Sequence, residues 1–212
     1  MAKGSNFERL ISTRLSLWWT DGKHDDTIWR SSMSGGRATV RGRKGKRTAG
    51  HAGDLCSTDP ASAALLRVLS FELKCGYHQV TINDLIDRRA NAAFQSSGWD
   101  GWVHQADEST RLSGAMSWCL IHHRNRASGG KRTMAYFESD GLERVWPTVW
   151  DDTAHLTSVT IDGRVRVADD KRMRAVSLVG FRFDDVFPDP DKGRPSVSPF
   201  RTAIRRFTKT KR

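Results

Sequence analysis

The stretch Leu65-Leu66-Arg67-Val68-Leu69-Ser70-Phe71-Glu72-Leu73-Lys74 decides how this sequence is read. Side chains of an extended strand alternate between two faces. Val68, Ser70, Glu72 and Lys74 would then share one face, and Leu69, Phe71 and Leu73 the other. A helical reading of Ala61 to Leu69 stands beside the strand reading. The triplet Glu72-Leu73-Lys74 puts an acid and a lysine on one face of the strand. Asp21-Gly22-Lys23 and Asp169-Asp170-Lys171 have the same form, and on pattern alone each triplet is a solvated pair. Only Glu72-Leu73-Lys74 follows a hydrophobic run and has a Gly-Asp, Gly53-Asp54, upstream at hairpin distance. Charges set among apolar neighbours are costly to bury without partners, which favours a functional reading of this one.

Outward from that stretch, Phe7, Leu10, Ile11, Leu15 and Trp18 recur at helical spacing and predict an amphipathic helix over Ser5 to Trp19. Ser5 and Glu8 fit a capping box at its start. Thr27 to Ser31 reads as a short strand after a polar turn at His24-Asp25-Asp26, and Asp54 to Cys56 as a strand start. Trp99 to Leu112 reads as a helix, Met116 to His122 as a buried strand, and Arg132 to Phe137 as another. Beyond Ser139 the pattern weakens into short strands at Thr157 to Ile161, Arg164 to Val167 and Val176 to Phe183. A basic stretch, Arg201 to Arg212, closes the chain. The expected architecture is a mixed α/β domain over residues 1–137 and a β-rich extension with a basic tail over 138–212.

Composition narrows the partners. The 212 residues carry 35 Lys and Arg against 24 Asp and Glu, a net charge of +11. That excess points to a polyanion, and for a cytoplasmic chain to nucleic acid first. Arg30, Arg37, Arg41, Arg43, Lys44, Lys46 and Arg47 lie between Thr27 and Gly53 with no acid among them. No apolar run approaches the ~18 residues of a membrane span, and no signal core opens the sequence. The three cysteines, Cys56, Cys75 and Cys119, have neither zinc-site nor disulfide spacing and read as small buried residues. His51, His122 and His123 read as structural or surface histidines. Trp18, Trp19, Trp29, Trp99 and Trp102 suit core or dimer packing better than base stacking.

Phosphodiester hydrolysis needs a nucleophilic water and a place for charge on the phosphate. A hard cation such as Mg²⁺ serves both needs, on oxygen ligands from carboxylates, and a nearby lysine positions the water or stabilises charge. Four segments in order match a family that does this. Lys3-Gly4-Ser5 with Phe7-Glu8-Arg9 resembles the opening helix of archaeal-type Holliday-junction resolvases. Arg30-Ser31-Ser32-Met33-Ser34-Gly35-Gly36 is similar to their Arg and Ser-Gly segment. Gly53-Asp54-Leu55 and Phe71-Glu72-Leu73-Lys74 complete the series. These marks resemble the PD-(D/E)XK nuclease superfamily, phage-encoded members included.

The resemblance implies a restriction-endonuclease-like mixed central sheet flanked by helices, with a C-terminal extension. It implies that Asp54 and Glu72 ligate Mg²⁺, with Mn²⁺ as a substitute, and that the Leu73 carbonyl completes the protein side. Lys74 would orient the attacking water, Glu8 would hold a metal-bound water or ligate directly, and Ser34 would lie near the scissile phosphate. The Arg41 to Arg47 insert and the chain beyond Ser139 depart from the family pattern. The expected activity is that of a DNA endonuclease, a structure-selective Holliday-junction resolvase acting in DNA recombination as a homodimer, in the cytoplasm of a bacterial or phage-infected cell. A two-fold dimer suits the two-fold symmetry of a junction. The alternatives are a less selective or sequence-specific nuclease on the same fold, and a nonenzymatic DNA-binding protein.

The basic segment yields the first prediction. Arg41, Arg43, Lys44, Lys46 and Arg47 are expected to contact phosphates, with Arg30 and Arg37 beside them. Each phosphate neutralised contributes a slope of about −0.9 to log affinity against log salt. Replacing the five by Ala should flatten that slope by several units and weaken all DNA alike; an unchanged slope would remove the assignment.

Overall fold

The computed structural model describes residues 3–31, 53–77, 79–89, 93–124, 132–167, 172–190 and 198–210. Helix α1 (Lys3–Thr20) leads into a short antiparallel pair, β1 (Ile28–Arg30) and β2 (Leu55–Ser57). Then come α2 (Pro60–Val68), β3 (Leu69–Cys75), α3 (Asn83–Ile86), α4 (Trp99–Ser113), β4 (Ser117–Arg124) and β5 (Arg132–Glu138). The chain continues through α5 (Ser139–Val145), α6 (Val149–Asp152), β6 (Ser158–Arg166), β7 (Met173–Arg182), α7 (Phe183–Val186) and α8 (Pro199–Thr210).

The deciding stretch is half helix and half strand. Asp59 caps α2 by accepting the Ala61 N–H at 2.7 Å, and Pro60 occupies the first turn, where its missing N–H costs nothing. The Ala-rich run that follows favours helix up to Val68. Leu69 then turns to extended backbone and opens β3 without a loop. The helical reading of Ala61 to Leu69 therefore holds up to Val68, which belongs to the helix rather than to the face of Glu72. The capping box also moves. Helix α1 begins at Lys3, so Ser5 lies inside its first turn and Glu8 is directed to Arg30.

Five strands form one mixed sheet in the order β3-β4-β5-β7-β6, with β3 and β4 parallel and the other neighbours antiparallel. A parallel pair needs a long crossover. Here it carries α3 and α4 over one face, where Leu85, Trp99, Trp102, Val103 and Ala106 pack on Leu120, Tyr136 and Leu178. The opposite face is covered by α1, α2 and α8, with Leu15, Trp18, Leu65, Phe200 and Ile204 against Phe71, Ile121 and Phe137. The result is an α/β fold with helices on both faces of a mixed sheet.

The chain beyond residue 137 is part of this sheet and not an appended unit. β7 pairs with β5, and the two short strands expected at Thr157 to Ile161 and Arg164 to Val167 are one continuous β6. Gly163 permits that continuity, since a Cβ there would stand 2.6 Å from Leu85 Cγ. Of the five tryptophans expected in core or dimer packing, Trp18, Trp19, Trp99 and Trp102 are buried in the core and Trp29 is 41% exposed. All three cysteines are free, Cys56 and Cys119 buried and Cys75 partly so. Among the described residues, no helix is long and apolar enough to cross a membrane.

The basic C-terminal stretch has a structural task. Arg201 is buried and donates from Nη1 to the Trp18 carbonyl, while its Nη2 pairs with Asp21. Arg205 Nη2 donates to the Trp19 carbonyl, with its guanidinium 5.0 Å from the Trp19 ring centroid. Cations here satisfy the open carbonyls at the end of α1 and oppose its negative pole. Arg201→Ala is therefore expected to cost about 2–3 kcal/mol, the range for a buried charged hydrogen-bonding group. Urea unfolding checks this; a variant as stable as the parent would show that α8 holds by its apolar face alone.

Candidate active site

Asp54 reaches β3 because of where the sheet ends. β3 is an edge strand, and the backbone groups on its outer side need partners. The Asp54 N–H donates to the Phe71 carbonyl at 2.9 Å, and the Leu73 N–H donates to Asp54 Oδ2 at 2.7 Å. The Ser31 N–H donates to the Asp54 carbonyl at 2.7 Å and continues the β1–β2 ladder. Gly53 makes the approach feasible. Its φ is +93°, and a Cβ would lie 2.8 Å from the Phe71 carbonyl oxygen. Backbone of a residue in this conformation and this close to β3 must be glycine.

Ser70, Glu72 and Lys74 project from β3 toward α4. Ser70 Oγ meets Thr110 Oγ1 at 2.6 Å. Lys74 Nζ donates to Glu72 Oε1 at 2.7 Å and to Gln105 Oε1 at 2.5 Å. Glu72 and Lys74 are only 6% and 8% exposed, so this pairing answers the cost of their burial. Gln105 is a member of the site that the sequence reading did not find. It stands alone in helix α4, 31 positions from Lys74, with no motif spacing to mark it.

Glu8 enters from α1, with its Oε2 3.8 Å from Arg30 Nε. Glu8, Asp54 and Glu72 lie near enough to disturb one another. Burial pushes Glu72 up to about 7, and the Asp54 and Glu8 charges add to that while Lys74 opposes it. Burial also raises Asp54, against the Leu73 N–H and Lys74. Glu8 is raised by burial and by Asp54, and lowered by Arg30. Three carboxyls with Lys74 and Arg30 beside them make a cluster that favours added positive charge.

The donor chemistry suits a hard dication. Mg²⁺ binds through one or two carboxylates and keeps several waters, and Asp54 and Glu72 are such a pair. The Leu73 carbonyl leaves β3 on the same side as its N–H, toward Asp54. Among the described residues, no three His, Cys, Asp or Glu side chains form a group that could hold a metal ion by themselves.

Of the expected site residues, Glu8, Arg30, Asp54, Glu72, Leu73 and Lys74 come together. Ser34, Arg37, Arg41, Arg43, Lys44, Lys46 and Arg47 lie outside the described residues, as does His51. His122 pairs in register with Lys74, but its ring is buried against Trp102, centroids 4.8 Å apart. Burial, then Arg124 and His123, lowers its pKa to about 4, so it is a neutral core imidazole at pH 7. His123 Nδ1 meets Thr133 Oγ1 at 2.8 Å. No family model matches the chain, and neither the curated proteins nor the solved structures give a significant match.

The carboxyl cluster makes stability depend on pH with a defined sign. Glu72 holds its proton more tightly when folded, near 7 against 4.5 for the free group, so the native state binds more protons between those values. Stability should fall as pH rises from about 5 to about 7, then level off. Glu72→Gln should lose most of that fall. Urea midpoints taken across this window in EDTA decide it; a profile that rises, or a variant with the parent's slope, would contradict the arrangement.

Proposed function

We propose that this chain is a metal-dependent DNA endonuclease. One observation carries the reading: Asp54, fixed to the free edge of β3, stands beside the buried pair Glu72 and Lys74. When bound, Mg²⁺ would supply charge neutralisation at the phosphate and a water of lowered pKa. Asp54 and Glu72 are the carboxylates that would hold it, with the Leu73 carbonyl. Lys74 orients the attacking water and opposes charge gathering on the phosphate oxygens. Gln105 and Glu72 keep the Lys74 ammonium in one place, and Glu8 holds a water on the α1 side. The attacking water gives a proton to solvent as its oxygen forms a new P–O bond, the bond to the leaving sugar oxygen breaks, and that oxygen takes a proton from solvent.

The preferred substrate in this reading is branched DNA, four-way junctions first. Support comes from the resemblance of residues 3–74 to junction resolvases and from the net charge of +11. A homodimer would present two such sites to a substrate with two-fold symmetry.

Asp54→Asn tests the reading, because it keeps the shape and removes the charge. With Mg²⁺, cleavage of labelled four-way junction, fork and duplex should fall by at least ~10²-fold, the scale of one lost electrostatic stabiliser. DNA affinity in EDTA should persist or rise, since Asp54 repels phosphate. Mg²⁺ should raise the thermal midpoint of the parent and not of the variant, as a ligand bound only to the native state does. A parent that cleaves none of the three DNAs would leave a nonenzymatic DNA-binding protein. A variant as active as the parent would dismiss Asp54.

A further inference from the structure

Helices α2 and α8 lie side by side on one flank of the sheet, and their outer surface is cationic. α8 contains Arg201, Arg205, Arg206 and Lys209, α2 contains Arg67, and neither helix contains an acid. Arg201 is turned inward, but Arg67, Arg205, Arg206 and Lys209 are exposed. Arg67, Arg205 and Lys209 rim a cleft of about 220 Å³ with the Thr208 side chain, over a floor of Ala64 and Trp19. Among the described residues, no acid lines it. Asp21, which pairs with this helix, is held by Arg201, with Arg205 3.7 Å away.

The packing of α8 narrows what this surface can meet. Basic amphipathic helices bind membranes by sinking an apolar face into the bilayer. In α8 that face is spent: Phe200 and Ile204 are fully buried, and Phe207 packs on the same core. The surface offers water charge and little grease. Trp19 is only 4% exposed, so its ring is not open to a stacked base. What remains is recognition of a row of phosphates. Arg205 and Lys209 are one turn apart, about 6 Å along the helix. Duplex DNA presents a charge about every 1.7 Å of its axis, so one cleft length meets several phosphates.

We infer that the α2–α8 face is a backbone-binding surface for DNA, additional to the basic segment 37–47. It rests on the proposed nuclease reading only in its choice of DNA as the polyanion. Arg67 and Glu72 are five positions apart, so their backbones lie at most about 18 Å from one another. That is about five steps of a DNA strand at 3.4 Å per step. Glu72 projects toward α4 and the α2–α8 face lies on the other side of the sheet, so a duplex would meet both by passing the edge of β3.

The test is binding of fluorescent four-way junction and 30-base-pair duplex in EDTA over a salt series, so that no cleavage is needed. R67A/K209A is compared with R111A/R164A, which removes the same net charge from exposed positions elsewhere. R67A/K209A should weaken binding about tenfold or more near 0.1 M salt and flatten the log–log slope by about 1.8, two contacts at 0.9 each. R111A/R164A should stay within about twofold of the parent, and R67K/K209R should bind as the parent does. Equal losses in the two alanine variants would overturn the inference, since that is the effect of net charge alone. So would an unchanged slope, or a loss of binding to phosphatidylserine vesicles without a loss on DNA. If the slope shifts but the parent never cuts DNA, this surface stands and the nuclease reading falls. If the parent cuts and the slope does not move, only this surface falls.

Discussion

The candidate site depends on one strand edge. β3 ends its sheet with the Phe71 carbonyl and the Leu73 N–H pointing outward, and Asp54 satisfies both, one with its backbone and one with its carboxylate. An open edge invites other chains, and natural proteins cover or block it. Here the cover is the backbone and carboxylate of Asp54. The same two bonds set the position of β2, which pairs β1 and so places Arg30 opposite Glu8 on α1. Gly53 is the backbone condition for all of it, because no larger residue leaves room for the Phe71 carbonyl.

The carboxyls gathered by this edge do not stabilise the metal-free fold. Each is raised by burial, and Asp54 raises both Glu72 and Glu8. Lys74 offsets part of that, as does Arg30 on the α1 side. Glu72 is buried, and Asp54 and Glu8, half-buried beside it, both raise it. That contrasts with Asp100, the other buried acid among the described residues, which is fully occupied; the first is the pattern expected of a site kept for function. Asp100 pairs with Arg88, accepts the Gln95 N–H and accepts the Arg166 N–H, all of which join α4 to its neighbours. Physical chemistry separates the two cases by whether charge is balanced.

Much of this was legible where one period dominates. The apolar stripe of α1 (Leu10 excepted, which is exposed), the helix at Trp99 and the buried strand before His122 stand where the spacing put them. The helix-to-strand change at Val68 and Leu69 was not, because Leu-Leu-Arg-Val suits both states until Asp59-Pro60 is recognised as a helix start. The alternation of Glu72 and Lys74 with Phe71 and Leu73 did carry the site. Gln105 left no trace, since its importance lies in a contact made by tertiary packing. β6 was split in the reading because Asp162-Gly163-Arg164 looks like a turn, whereas Gly163 is there to admit Leu85.

The C-terminal helix shows why a charge run is a poor guide to role. Read along the chain, Arg201, Arg205, Arg206 and Lys209 are one basic tail. In the fold they divide by helical phase. The inward member, Arg201, ends α1 by meeting Trp18, and Arg205 straddles the boundary by meeting Trp19 with an exposed flank. Arg206 and Lys209 are exposed. α1 is thus held at its C-terminal end by the last helix of the chain, while near its other end it carries Glu8 beside Arg30 and the Asp54 edge. The helix that carries Glu8 is fastened by residues nearly 200 positions further along the chain. The carboxyl cluster is therefore a property of the completed fold, not of the 72-residue segment that holds its motifs.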